Sequence, residues 1–146
     1  KKIMNQKSWI FKNIQLGAFL GMLSIVLGAF AAHQLEKIAD FKVVQSFKTG
    51  VQYQFLQSFF ALFVAIMCGL NWLTQKQAKT LFITNSLGIL FFSFSIYTLA
   101  FLNIKEMHQF KKIVGPITPI GGLILIATWG VLIVFVHKNF KNNAKA

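Results

Sequence analysis

Four stretches of this chain, residues 14–32, 51–70, 81–102 and 117–136, contain no Lys, Arg, Asp or Glu. A helix needs about 20 mostly apolar residues to cross the hydrocarbon of a bilayer. Four stretches of this size read as four helices. The connections, 33–50, 71–80 and 103–116, are short, so consecutive helices pack as antiparallel neighbours. The expected fold is therefore all-α: an integral membrane four-helix bundle forming a single transmembrane domain over residues 1–146.

Charge supports the same reading. Fifteen lysines and no arginine face three acidic residues, Glu36, Asp40 and Glu106, and this charge lies between the apolar stretches. A nucleic-acid binder would carry its basic residues on a soluble face, often with Arg for bidentate contacts to bases. Membrane lipids are the expected surroundings and nucleic acid is not an expected partner. Short loops on the cytoplasmic side are richer in Lys and Arg. The N-terminal segment, second loop and C-terminal segment together hold nine lysines, against six in the first and third loops. This places both termini in the cytoplasm. Ala29-Phe30-Ala31 after a lysine-rich start imitates a signal-peptide cleavage site, but the apolar run before it is long enough to span. The single cysteine, Cys68, leaves no intramolecular disulfide and no cysteine metal cluster.

Helices in lipid associate through small residues that let backbones approach and through hydrogen bonds between helices. Gly17, Gly21, Ser24, Gly28 and Ala31 form such a stripe on the first stretch, and Gln54, Ser58, Ala61, Ala65 and Cys68 on the second. Thr84, Gly88, Ser95 and Thr98 continue it on the third, and Thr118, Gly121, Gly122 and Thr128 on the fourth. Asp40 is placed to cap a helix starting at Phe41. Phe41, Val44, Phe47, Val51 and Phe55 then share one broad face of that helix. The segment from Lys138 to Ala146 reads as a frayed tail.

Polar residues gather toward the end of the bundle away from the termini: His33, Gln54, Gln57, Ser93, Ser95, Tyr97 and Thr118, with Thr49, Gln52 and Tyr53. Polar groups in the membrane need partners. Two readings stay open, an interhelical hydrogen-bond network or a solvated pocket for a small ligand or lipid headgroup. Gly115 to Gly122 reads as a rigid entry to the fourth helix, with Thr118 as N-cap and Pro119 first inside. The free amides of such a helix start can hold an anion, and a plain close-packed helix start is the alternative. His33, Glu36 and Asp40 share a helical face with metal-like spacing, but the set is thin, and no metal or redox cofactor is expected. His108 and His137 complete no site. No Ser or Cys sits in a nucleophile elbow, and the spans hold none of the ionisable groups that mark ion pathways.

Four motifs stand in order: Gly28-Ala29-Phe30-Ala31-Ala32-His33, Thr49-Gly50-Val51-Gln52-Tyr53-Gln54, Phe92-Ser93-Phe94-Ser95-Ile96-Tyr97, and Gly115 to Gly122. With them the chain resembles the YgdD/YwdK-like family of small multi-pass bacterial membrane proteins, over about Gly17 to Trp129. The resemblance implies a four-helix inner-membrane protein of undefined biochemical role. The chain departs from that pattern at Ala31, Phe94 and Thr128, where the family tends to have Gly, and at Gln57, where it commonly has His. An amide does not titrate, so any proton-transfer or metal role of that histidine would be missing here. The expected function is a non-enzymatic accessory or scaffold subunit working beside other membrane protein subunits. The alternative is a carrier or lipid-handling protein with a polar pocket at the non-cytoplasmic end.

Overall fold

The computed structural model describes residues 2–143. Four apolar helical spans, Trp9–Ile38, Phe41–Gly69, Gln75–Ile104 and Gln109–Lys141, are each long enough to cross a membrane, and no strand occurs among the described residues. The fold is the all-α four-helix membrane bundle expected from the apolar stretches. The helices outrun those stretches because helical geometry continues through the polar flanks at about 1.5 Å per residue. Much of the expected first loop is thus helix, and the first two spans are joined by Ala39 and Asp40 in extended conformation.

Local chemistry explains the other breaks. After Gly69 the left-handed Asn71 (φ 59°) turns the chain, Trp72 N–H donates to Met67 O at 2.9 Å and Asn71 N–H to Cys68 O at 3.2 Å. This double closure satisfies the last carbonyls of the helix. Thr74 then opens the third helix by a reciprocal capping box with Gln77. The third helix ends with the same closure, Met107 N–H to Leu102 O at 2.9 Å and Glu106 N–H to Asn103 O at 3.0 Å. Here the left-handed position is filled by Glu106 (φ 56°), a residue type for which that conformation costs about 1 kcal/mol.

The first helix lies along the second, the second against the third, and the third against the fourth. Several residues of the small-residue stripes lie at the seams, whereas Thr98, expected on the third stripe, is exposed and donates to Phe94 O of its own helix at 2.9 Å. A Cβ added at Gly17 would come within 3.0 Å of Leu62 Cδ2, and one at Gly21 within 3.1 Å of Ser58 Oγ. Gln54, Ser58, Ala61, Ala65 and Cys68 are all buried. An added Cβ at Gly28 would lie 3.6 Å from Val51, and one at Gly122 3.6 Å from the Phe92 ring, both ordinary contacts. Two apolar clusters form, one around Phe60, Val64, Met67 and Leu81 toward the termini, the other around Ala31, Leu35, Val44 and Phe47 at the opposite end.

Several details differ from the sequence expectations. Asp40 sits at the N-cap of the second helix, yet its side chain makes no capping bond. Val44 and Phe47 face the core, but Phe41 and Phe55 point outward. The face is split because lipid accepts apolar side chains as readily as the interior does. The tail is helical through Asn143; residues 144–146 lie outside the described residues. Asn139 donates to Trp72 O at 2.9 Å and shares a reciprocal amide pair with Gln77, which ties the fourth helix to the second turn. The third loop carries a short helix, His108–Val114.

Two π-helical turns, Ala31–Leu35 and Leu90–Phe94, interrupt the first and third spans. Each adds a residue to one turn, rotates the helix face beyond it and frees carbonyls from the regular ladder. Both overlap motifs that carry the family resemblance, in the segments around Ala31 and Phe92.

Candidate functional site

The polar end is organised around Gln54, which is fully buried on the second helix. Its Nε2 donates to Leu20 O on the first helix at 2.9 Å, and its Oε1 accepts from the Tyr97 hydroxyl on the third at 2.9 Å. One amide thereby joins three helices. Tyr97 can lie flat against the second helix because Gly50 faces it, where an added Cβ would come within 3.0 Å of Tyr97 Cε1. The Phe47 ring lies beside it, tilted by 41°, with centroids 4.7 Å apart.

A second link crosses from the third helix to the fourth. Ser95 Oγ lies 2.6 Å from Phe91 O, 2.8 Å from Phe92 O and 2.7 Å from Thr118 Oγ1. A hydroxyl has one proton. Ser95 therefore donates to the carbonyls of the π turn, one of which, Phe92 O, also accepts the Ser95 backbone N–H, while Thr118 donates to Ser95. This corrects the expected role of Thr118. The fourth helix begins at Ile117, so Thr118 lies inside its first turn, and its side chain reaches across to Ser95. Pro119 in that turn lacks an N–H where a helix would leave one unpaired anyway.

The remaining expected residues divide. Gln57 is buried and its backbone carbonyl accepts from Asn85 Nδ2 at 3.1 Å, while its side-chain Oε1 and the hydroxyl of buried Ser93 have no hydrogen-bond partner. His33 is exposed on the first π turn and is not drawn into the Gln54 network. Its metal-like neighbour Glu36 is engaged with Lys48 at 2.6 Å. No group of three or more His, Cys, Asp or Glu converges among the described residues. Sequence reasoning passed over Asn85, which is fully buried. Its signal was visible, since it is the lone asparagine in the stretch 81–102.

Two adjoining clefts open at this end. One, about 520 Å³, lies between the start of the second helix, the end of the third and the entry to the fourth, with Lys42, Ser46, Thr49 and Asn103 among its polar lining. The other, about 390 Å³, shares Val43 and Asn103 with it and carries Asp40, Glu106 and Lys37.

These features define a small multi-pass helical membrane protein in which Gln54, Tyr97, Asn85, Ser95 and Thr118 tie neighbouring helices together. Residues 27–122 match the family model described as a protein of unknown function, DUF423, and the chain belongs to that family. The membrane protein SH2409 of Staphylococcus haemolyticus is 37% identical over 126 residues, covering 86% of this chain and 94% of the relative. YwdK of Bacillus subtilis is 37% identical over 131 residues, 86% of this chain and 95% of the relative. A membrane protein of Schizosaccharomyces pombe, C1782.12c, is 34% identical over 120 residues, 82% and 96% respectively, so the family extends beyond bacteria. All three carry the designation UPF0382 membrane protein. No solved structure matches the chain.

Proposed function

We propose that this protein is a non-enzymatic accessory or scaffold subunit of a bacterial inner-membrane assembly, with both termini in the cytoplasm. The observation that carries this reading is the uneven burial of the spans. In the most apolar window of each span, half of the second helix is buried, against 17% of the first and 22% of the fourth. The first and fourth helices thus present two broad apolar flanks, while small-residue seams close the centre between neighbouring helices. Such a shape offers surfaces to lipid and to other subunits rather than a path through its middle. Extraction from native membranes into polymer-bounded lipid discs is the test. The chain should emerge at fixed stoichiometry with another membrane subunit, and recovery of the chain alone at every loading overturns the reading.

The cytoplasmic placement rests on the excess of lysines at the terminal side. A reporter fused after Lys141 and another inserted at Lys105 should give cytoplasmic and non-cytoplasmic signals respectively. The reverse pair would invert the orientation, and equal signals would remove a span.

A second reading, lipid handling, is favoured by the paired clefts at the polar end, where charged and hydroxyl groups border an apolar wall.

A further inference from the structure

The two clefts differ in charge and share a wall. In the larger one, Lys42 stands with the Ser46 hydroxyl, and Thr49, whose hydroxyl donates to Gln45 O at 3.0 Å, borders it as well. In the smaller one, Asp40 and Glu106 outnumber Lys37. Among the described residues Lys48 pairs with Glu36, whereas neither the Lys42 ammonium nor the Asp40 and Glu106 carboxylates are neutralised by a salt bridge. Val43 and the Asn103 amide line both clefts. A cation with a hydroxyl donor therefore stands next to a pair of carboxylates, on either side of a shared amide. Beneath Lys42, the wall continues through Ile96, Leu99 and Ala100, which lie inside the third span. That wall leads toward the depth of the acyl chains.

We propose that the paired clefts seat the headgroup of a phosphoethanolamine lipid, with its phosphate beside Lys42 and Ser46, its ammonium between Asp40 and Glu106, and an acyl chain along Ile96, Leu99 and Ala100. The inference deepens the lipid-handling reading and rests on it. A phosphate diester brings one negative charge and acceptor oxygens, which suit a lysine and a hydroxyl donor. The amine of this headgroup, a short linker away from the phosphate, donates three N–H bonds that two carboxylates can accept. Choline offers no N–H donor and is held by aromatic faces, whereas no aromatic residue lines the smaller cleft. A glycerol headgroup carries no cation and would leave the two carboxylates with Lys37 alone. The apolar wall distinguishes a lipid from free phosphoethanolamine, which has nothing to lay against it.

The test uses the full chain purified in detergent. Phosphatidylethanolamine, phosphatidylcholine and phosphatidylglycerol with identical acyl chains are titrated separately, with free phosphoethanolamine as a fourth probe. Bound lipid is counted by native mass spectrometry, and the thermal midpoint is followed in parallel. Phosphatidylethanolamine should be retained roughly tenfold better than the other two lipids, the ratio expected from one added charge-assisted hydrogen bond. Asp40→Asn with Glu106→Gln should bring that ratio to about one, and Lys42→Gln should weaken retention of all three lipids. Asp40 makes no capping bond, so the double variant should melt like the parent in lipid-free detergent. If the double variant does not fold, Glu106→Gln alone replaces it and should at least halve the preference. Equal retention of the three lipids by the parent, or an undiminished preference in the variants, overturns the headgroup assignment while leaving lipid handling in place. Tighter binding of free phosphoethanolamine than of the lipid overturns the acyl-chain placement. Retention of no lipid, with no thermal shift, removes the assignment and the lipid-handling reading together.

Discussion

Gly121→Ala should destabilise the folded bundle by about 2 to 3 kcal/mol, the upper part of the range for forcing extra volume into a filled seam. A Cβ at this position would overlap the backbone of Phe91 and Phe92, lying 2.8 Å from Phe92 Cα. Those atoms belong to the π turn Leu90–Phe94, which Ser95 and Thr118 hold in place. Backbone cannot rotate aside as a side chain can, so the third and fourth helices must separate. Two other glycines serve as internal controls. Gly88 also faces an occupied position, but the nearest atoms belong to the Leu125 side chain, so Gly88→Ala should lose less as that leucine repacks. Gly130 has nothing within 4 Å of an added Cβ, and Gly130→Ala should be neutral or gain up to about 1 kcal/mol from reduced chain entropy. Unfolding in mixed micelles with rising denaturing detergent gives all three values. Equal values for Gly121→Ala and Gly130→Ala would show that the third and fourth helices do not meet here.

Gln54→Ala should destabilise by about 2 to 3 kcal/mol, combining two lost interhelical hydrogen bonds with the space left by a buried side chain. The loss is shared between two seams, because the amide holds Leu20 O on one side and the Tyr97 hydroxyl on the other. Gln54→Leu keeps most of the volume and should recover part of the loss, leaving about 1 to 2 kcal/mol. Tyr97→Phe removes only the hydroxyl and should cost about 1 kcal/mol. The pair should couple. Once Gln54 is Leu, Tyr97→Phe should cost almost nothing, since the hydroxyl no longer has its acceptor. Unfolding of the two single variants and the double variant in the same micelles closes the cycle. Strictly additive losses would mean that the 2.9 Å contact carries no energy.

How much of this was legible depended on whether the signal was local. The spans were, because bilayer thickness fixes the length of an apolar run without reference to any other residue. The packing stripes were nearly so. Ala61 and Ala65 are buried where their spacing placed them, since in lipid a small residue is most useful against another helix. The outcome was mixed for the polar residues. Gln54 and Tyr97 meet, as do Ser95 and Thr118, but His33 is left exposed and the Ser93 hydroxyl is buried without a partner. Spacing reports which residues share a level in the membrane, not which way each side chain turns.

The apolar stretches, the glycine and serine stripes and the lysine asymmetry are properties of the sequence alone, and they determine a four-span helical membrane protein and its seams. The tertiary structure alone decided the two π turns, the reach of Thr118 to Ser95 in place of a helix cap, and the position of Asn85 against the Gln57 carbonyl. It also decided that Lys42, from the start of the second helix, and Glu106, from the end of the third, border neighbouring clefts. The physical reason is that these features depend on helix rotation. A π turn rotates every residue beyond it, and no local pattern reports that angle until the neighbouring helix has packed.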